Sequence, residues 1–174
     1  MTENEPEQGH ESGRKLYWAA VVAIMLGLTA LYHAVVRNDG GMRLQQGENG
    51  ETLVILERKR NGHFSVDGAI NGQAVSFLVD TGATDVAVSE RMARTIGLPF
   101  GPDIVLSTAA GRARGWITRL DSVQVGALAL RDVRATITPG LGNEALLGMS
   151  FLRHFSIVQE GDTLVIASRG ENTP

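Results

Sequence analysis

The sequence predicts an all-β domain with one or two short helices, preceded by one N-terminal transmembrane helix. Three observations lead there. From Thr52 onward the chain breaks into short apolar stretches punctuated by glycine, with one clear helix signal among them, the pattern of a barrel or a sandwich. Asn71-Gly72 stands between two β-type runs, the strongest short hairpin signal a sequence carries. Leu16 to Val36 is almost unbroken in apolarity, with His33 its only readily titratable side chain.

Residues 1–13 are polar and acidic and read as a disordered tail. Residues 14–37 read as the anchor. As a helix the apolar run would be about 31 Å long, enough to cross a hydrocarbon core of about 30 Å. Tyr17, Trp18 and Tyr32 lie near its ends, where amphipathic rings favour the headgroup boundary. A cleaved signal peptide is the competing reading, since Arg14-Lys15 form a charged start. The apolar stretch exceeds the usual length of about 7 to 15 residues, however, and no clean small-x-small site comes after it. The basic pair beside the first end favours that end as cytoplasmic, which puts the rest of the chain on the far side of the membrane. Residues 38–50, rich in Gly, Asn and Gln, read as a flexible linker, and 51–170 as the folded domain.

Within that domain, Thr52 to Glu57 is the first strand. Phe64 to Ile70 and Ala74 to Val79 flank the Asn71-Gly72 turn, so Asp80 stands at the exit of a hairpin's second strand. Val86-Ala87-Val88 leads into a short helix opened by Ser89, whose hydroxyl caps free N–H groups, and closed by Gly97. Beyond Pro99 and Pro102 come a strand over 103–107, a Gly/Ala-rich tip over 108–115, and a strand from Trp116 to Val125. Gly126-Ala127 then turns into a strand over 128–137. The apolar segment Ala145 to Met149, a brief helix near 150–154 and a closing hairpin (155–159 with 164–167) complete the chain.

Composition removes several function classes. The 174 residues contain no cysteine, which excludes disulfides, thiolate metal sites and Cys nucleophiles. From Glu51 onward, 12 Lys/Arg stand against 13 Asp/Glu without a basic stripe, so nucleic-acid binding is not expected. His63 and His154 show no metal-ligand spacing, and the serines lack a nucleophile-elbow pattern. Neither a metal nor a cofactor is expected.

The strongest chemical signal is Phe77-Leu78-Val79-Asp80-Thr81-Gly82-Ala83, a carboxylate at the mouth of an apolar strand, then a hydroxyl and a glycine. Two carboxyl groups about 3 Å apart can activate a water and protonate a leaving amine, because they cannot both ionise. Together with Leu146-Leu147-Gly148-Met149 and the hairpin before Asp80, this segment resembles the retropepsin-like aspartic proteases. Gly62-His63-Phe64, Asn71-Gly72, Phe77 to Thr84 and Leu147 to Leu152 resemble in particular the bacterial single-domain, membrane-anchored branch.

The resemblance covers about Thr52 to Ser168 and implies a closed β-barrel half. It implies Asp80 as the catalytic aspartate and Thr81 as the residue tying two active-site loops across a dimer. Gly82, Ala83, Leu147 and Gly148 would support the active-site loop. Thr108, Ala109, Ala110 and Gly111 fall where the family carries a mobile flap over the substrate, although an ordinary hairpin turn fits the same residues. Viral members place an Asp one residue after the Ala and an Arg after the later Gly. Here those positions hold Thr84 and Met149, so that ion pair is missing, and Asp85 is left one position further on.

Only one Asp-Thr-Gly occurs, so a two-carboxylate site needs a second copy of the chain. The expected protein is a homodimeric aspartic endopeptidase acting on peptides or proteins. It would be anchored in the lipid bilayer through 16–36 as a single-pass protein of a bacterial inner membrane, with its protease domain periplasmic. A peptide-binding module with the fold but little or no activity is the alternative, and a structural role in a larger envelope complex is a third reading.

Overall fold

The computed structural model of the chain describes residues 10–37, 41–47, 50–108 and 111–169; in the first helix the described side chains are those of 17–30. Two units divide it, Met1–Asp39 and Gly40–Pro174. In the first, α1 (His10–Arg37) begins inside the segment expected as a tail. Tyr17 and Trp18 meet edge to face at 6.1 Å on this helix. No helix among the described residues is long and apolar enough to cross a membrane, so the anchor expected over 14–37 is not supported.

The second unit is mostly β. Its elements in order are β1 (Met42–Gln46), β2 (Thr52–Glu57), β3 (Ser65–Ile70), β4 (Gln73–Val79), β5 (Val86–Ser89), α2 (Glu90–Ile96), β6 (Asp103–Thr108), β7 (Gly111–Val125), β8 (Leu128–Thr138), β9 (Ala145–Leu147), α3 (Met149–Leu152), β10 (Phe155–Glu160) and β11 (Thr163–Ser168). They form two sheets, of order β1-β2-β11-β10 and β3-β4-β9-β5-β8-β7-β6. Of the closed β-barrel half that the resemblance implied, the two sheets show the mostly β character. The larger sheet does bend back on itself, because β3 pairs with β7 as well as with β4.

The hairpin of β3 and β4 shows how local sequence sets register. Ile70 pairs with Gln73, and the two loop residues take positive φ, 50° at Asn71 and 79° at Gly72. Both angles belong to the turn whose twist matches the flanking strands. Asn71 also fastens the hairpin to β7, since its Oδ1 accepts the Ser122 N–H at 3.0 Å and its own N–H donates to Ser122 O. Ser89 caps α2 through a hydrogen bond from Met92 N, and Gly97 ends it at φ 77°.

Alternation along the strands builds the core. Leu56 faces Leu164 and Val54 faces Ile166 across β2 and β11, all four buried. Phe77, Ile70, Leu120, Ile137, Leu147, Phe151 and Leu152 complete it from the larger sheet and α3. Trp116 is half-buried beside this core and meets Phe100 edge to face at 5.2 Å, in line with a packing aromatic.

One element contradicts the expected linker over 38–50. β1 pairs residue by residue with β2, from Met42↔Leu56 to Gln46↔Thr52, although every residue of β1 is exposed. An edge strand is held by backbone hydrogen bonds from its neighbour, and the Met42-Arg43-Leu44-Gln45 alternation is too short to mark it against the Gly, Asn and Gln around it.

Candidate active site

Asp80 comes directly after the last residue of β4, where the strand has just run beside β9. These two strands are parallel, with Phe77↔Ala145, Leu78↔Leu146 and Val79↔Leu147. The Asp80 N–H continues the ladder, donating to Leu147 O at 3.2 Å. The chain then turns sharply: the Gly82 N–H donates to Asp80 Oδ1 at 2.9 Å, and the Ala83 N–H to Asp80 O at 3.2 Å. Such a turn, in which a carboxylate accepts the N–H two residues on, fixes a side chain against its own backbone. A Cβ on Gly82 would stand 3.2 Å from Asp80 Oδ1, so glycine keeps that carboxylate uncrowded.

Residues 83–86 are held at every position. Ala83 O accepts the Met149 N–H at 2.8 Å, and Thr84 O accepts the Ser150 N–H at 2.9 Å. Ser150 Oγ in turn accepts the Val86 N–H at 2.8 Å. Gly148 lies flat against this segment, and a Cβ there would overlap Asp85 O and sit 2.8 Å from Ala83 O. Leu147, fully buried, fixes the other side of Gly148 in the core. The structure therefore brings together Asp80, Gly82, Ala83, Leu147 and Gly148. Thr81 is exposed, and its side chain has no hydrogen-bond partner among the described residues.

A cleft of about 860 Å³ opens over this loop. Its floor includes Asp80, Gly82 and Asp85, and its far wall is the hairpin of β6 and β7 with Val105, Leu106 and Arg112. Thr108 and Gly111 pair at the tip of that hairpin, with Gly111 at φ 110°, a conformation that favours glycine. Ala109 and Ala110, the rest of the expected flap, lie outside the described residues. The hairpin expected to cover the site is thus a wall of the same cleft as Asp80.

Asp85 is the second carboxylate of the cleft, and it is engaged. Its Oδ2 accepts from Arg134 Nε at 3.1 Å and from Thr136 Oγ1 at 3.3 Å, and its side chain is only 13% exposed. Arg134 and Thr136 were not anticipated as site residues. No local pattern marks them; they reach Asp85 because β5 pairs in parallel with β8, Val86 opposite Ala135. No group of acids and histidines that could hold a metal occurs among the described residues.

Residues 66–154, just over half of the chain, match the family described as "gag-polyprotein putative aspartyl protease". The chain is 35% identical over 114 residues to an uncharacterized protein of the cobV 5′ region of a Sinorhizobium species, covering 63% of this chain and 49% of that one. It is 32% identical over 107 residues to an uncharacterized protein of Rickettsia prowazekii, covering 59% and 45%. It spans about half the length of these curated relatives. The crystal structure of a retropepsin-like aspartic protease from Rickettsia conorii superposes with a TM-score of 0.55 at 25% identity, covering 74% of this chain and 95% of that one. The chain belongs to the retropepsin-like aspartic protease family.

Proposed function

We propose that the chain is an aspartic endopeptidase whose catalytic residue is Asp80 and whose active site is completed by a second copy of itself. The observation that carries this reading is the division of labour between the two carboxylates of the cleft. Asp85 is committed to Arg134 and Thr136, whereas Asp80 has no cation partner among the described residues and lies at the open floor. A single chain thus offers one carboxylate for chemistry, and peptide hydrolysis by this route needs two.

With Asp80 of each protomer on a two-fold axis, the pair would share one proton. The ionised carboxylate takes a proton from a water held between them, and the water oxygen attacks the peptide carbonyl. The protonated carboxyl first stabilises the developing oxyanion, and a proton then passes to the leaving nitrogen as the C–N bond breaks. Exposed Thr81, next to Asp80 and unpartnered within the described chain, is suited to bond across the axis. Val105, Leu106 and Leu146 give the cleft apolar walls, which suit an extended peptide with apolar side chains near the cut bond.

Placement at a bilayer with the domain on the periplasmic face rests on the apolar composition of 16–36 alone, since no described helix is long and apolar enough to span; confinement to a plane would raise the effective concentration of partners. The decisive experiment is cleavage of a denatured protein by the purified full chain and by Asp80→Asn. The variant is expected to remain folded and dimeric and to lose all cleavage. Undiminished cleavage by Asp80→Asn refutes the mechanism, as does full activity from a strict monomer. Absence of cleavage by the wild type, with intact binding of peptides, would favour a binding module instead.

A further inference from the structure

We infer that Asp85, Arg134 and Thr136 form a positioning clamp that sets the orientation of the Asp80 carboxylate from within one protomer. The inference rests on the reading of Asp80 as the catalytic group and adds to it a device for holding that group. The loop over 80–86 is fastened unevenly. Only two hydrogen bonds tie Asp80 to the residues immediately after it, both within its own turn, from Gly82 N and Ala83 N. Leu147 O holds the Asp80 N–H, so the direction of its carboxylate depends on that bond and on how 83–86 are held.

That segment is fixed from two sides. On one side Gly148, Met149 and Ser150 hold its main chain through contacts to Ala83 O, Thr84 O, Asp85 O and Val86 N. On the other side the attachment is the Asp85 side chain itself, which reaches β8. Arg134 and Thr136 are two apart on that strand, so their side chains leave the same face, and both donate to one oxygen, Oδ2. Two donors converging on one acceptor fix its position along the strand as well as its distance, which a lone ion pair does not.

The charges also decide how the clamp differs from an ordinary surface pair. Arg134 is 57% exposed, and an exposed pair contributes little on its own. Asp85 is not exposed, so removing the guanidinium leaves a largely buried carboxylate to seek water. Asp85 also lines the cleft that holds Asp80. Loss of Arg134 should thus rotate Asp85 toward the reacting centre and carry the loop with it. Neither residue belongs to the apolar core, so the consequence falls on geometry rather than on folding.

The test uses the full chain with Asp85→Asn, Arg134→Met, Arg134→Lys and the Asp85→Asn/Arg134→Met double variant. On a peptide that the wild type cleaves, each of the first two is expected to lower kcat by about 10- to 100-fold, because misplacement by about 1 Å costs on that order. KM should stay within about twofold, the double variant should fall no further than the worse single one, and Arg134→Lys should recover part of the rate. Hydrogen exchange supplies a readout that needs no activity. The Gly82 and Ala83 amides should exchange at least about tenfold faster in Arg134→Met, while those of β10 and β11 keep their rates. Unchanged exchange at 82–83 overturns the clamp whether or not the protein cleaves anything. Retained kcat, or losses that multiply in the double variant, overturns it too, and leaves the role of Asp80 standing.

Discussion

Gly148→Ala adds one methyl group where the structure has no room for it. The new Cβ would overlap Asp85 O, lie 2.7 Å from Asp85 C and lie 2.8 Å from Ala83 O. All three neighbours are backbone, so no side-chain rotation relieves them. Restoring ordinary contact at about 3.5 Å requires 83–85 to withdraw by roughly 1 Å. That movement stretches the hydrogen bonds from Met149 N to Ala83 O and from Ser150 N to Thr84 O, now 2.8 and 2.9 Å. Overpacking costs about 1–3 kcal/mol, and the two weakened hydrogen bonds add about 1 kcal/mol each, so a loss of about 3–5 kcal/mol is expected. Urea unfolding tracked by circular dichroism measures it, with an unchanged m-value as the sign of an intact native state. On the proposed function, the same withdrawal should lower kcat by roughly 100-fold in the molecules that remain folded. A stability loss under about 0.5 kcal/mol would refute the reasoning, because it would mean that the loop yields freely around Gly148.

Two further expectations test the frame around the site. Phe77→Ala empties a fully buried position that lies three residues before Asp80 and packs against Gly68; a loss of about 3–5 kcal/mol is expected in the same urea titration, and a loss under about 1 kcal/mol would show that the hairpin collapses onto the gap. Ser89→Ala removes the oxygen that accepts from Met92 N and should cost about 1 kcal/mol, with the Met92 amide exchanging faster; unchanged exchange there would mean that α2 does not depend on its cap.

Much of the fold was legible because its signals are local. Asn71-Gly72 set a turn, Ser89 and Gly97 bounded a helix, and alternation gave β2, β3, β4, β10 and β11 within a residue or two. The loop around Asp80 was legible for the same reason, since Thr81, Gly82 and Ala83 come directly after it. Where the sequence fell short, the deciding interaction was remote or carried by backbone. β1 is wholly exposed, and its pairing with β2 makes it a strand. Val86 to Ser89 read as an apolar lead into a helix, but it is a strand between β8 and β9, and every residue in it is buried. Arg134 and Thr136 reach Asp85 from about fifty residues away through strand register alone. The apolar run of 16–36 shows the opposite limit: composition makes an anchor attractive, yet no helix among the described residues is long and apolar enough to span a membrane.

The three-residue strand β9 has a consequence for biosynthesis. It lies parallel to β4 and antiparallel to β5, and so joins segments roughly 70 residues apart, a separation that delays pairing during folding. As the chain leaves the ribosome, the hairpin of β3 and β4 can close at once, but Leu147 O is not yet there to receive the Asp80 N–H, nor Met149 and Ser150 to hold Ala83 and Thr84. The loop bearing Asp80 therefore stays unshaped until the segment around 145–150 has been made and docked. On the proposed function, the site would take shape only late in synthesis, its timing set by the arrival of these few residues.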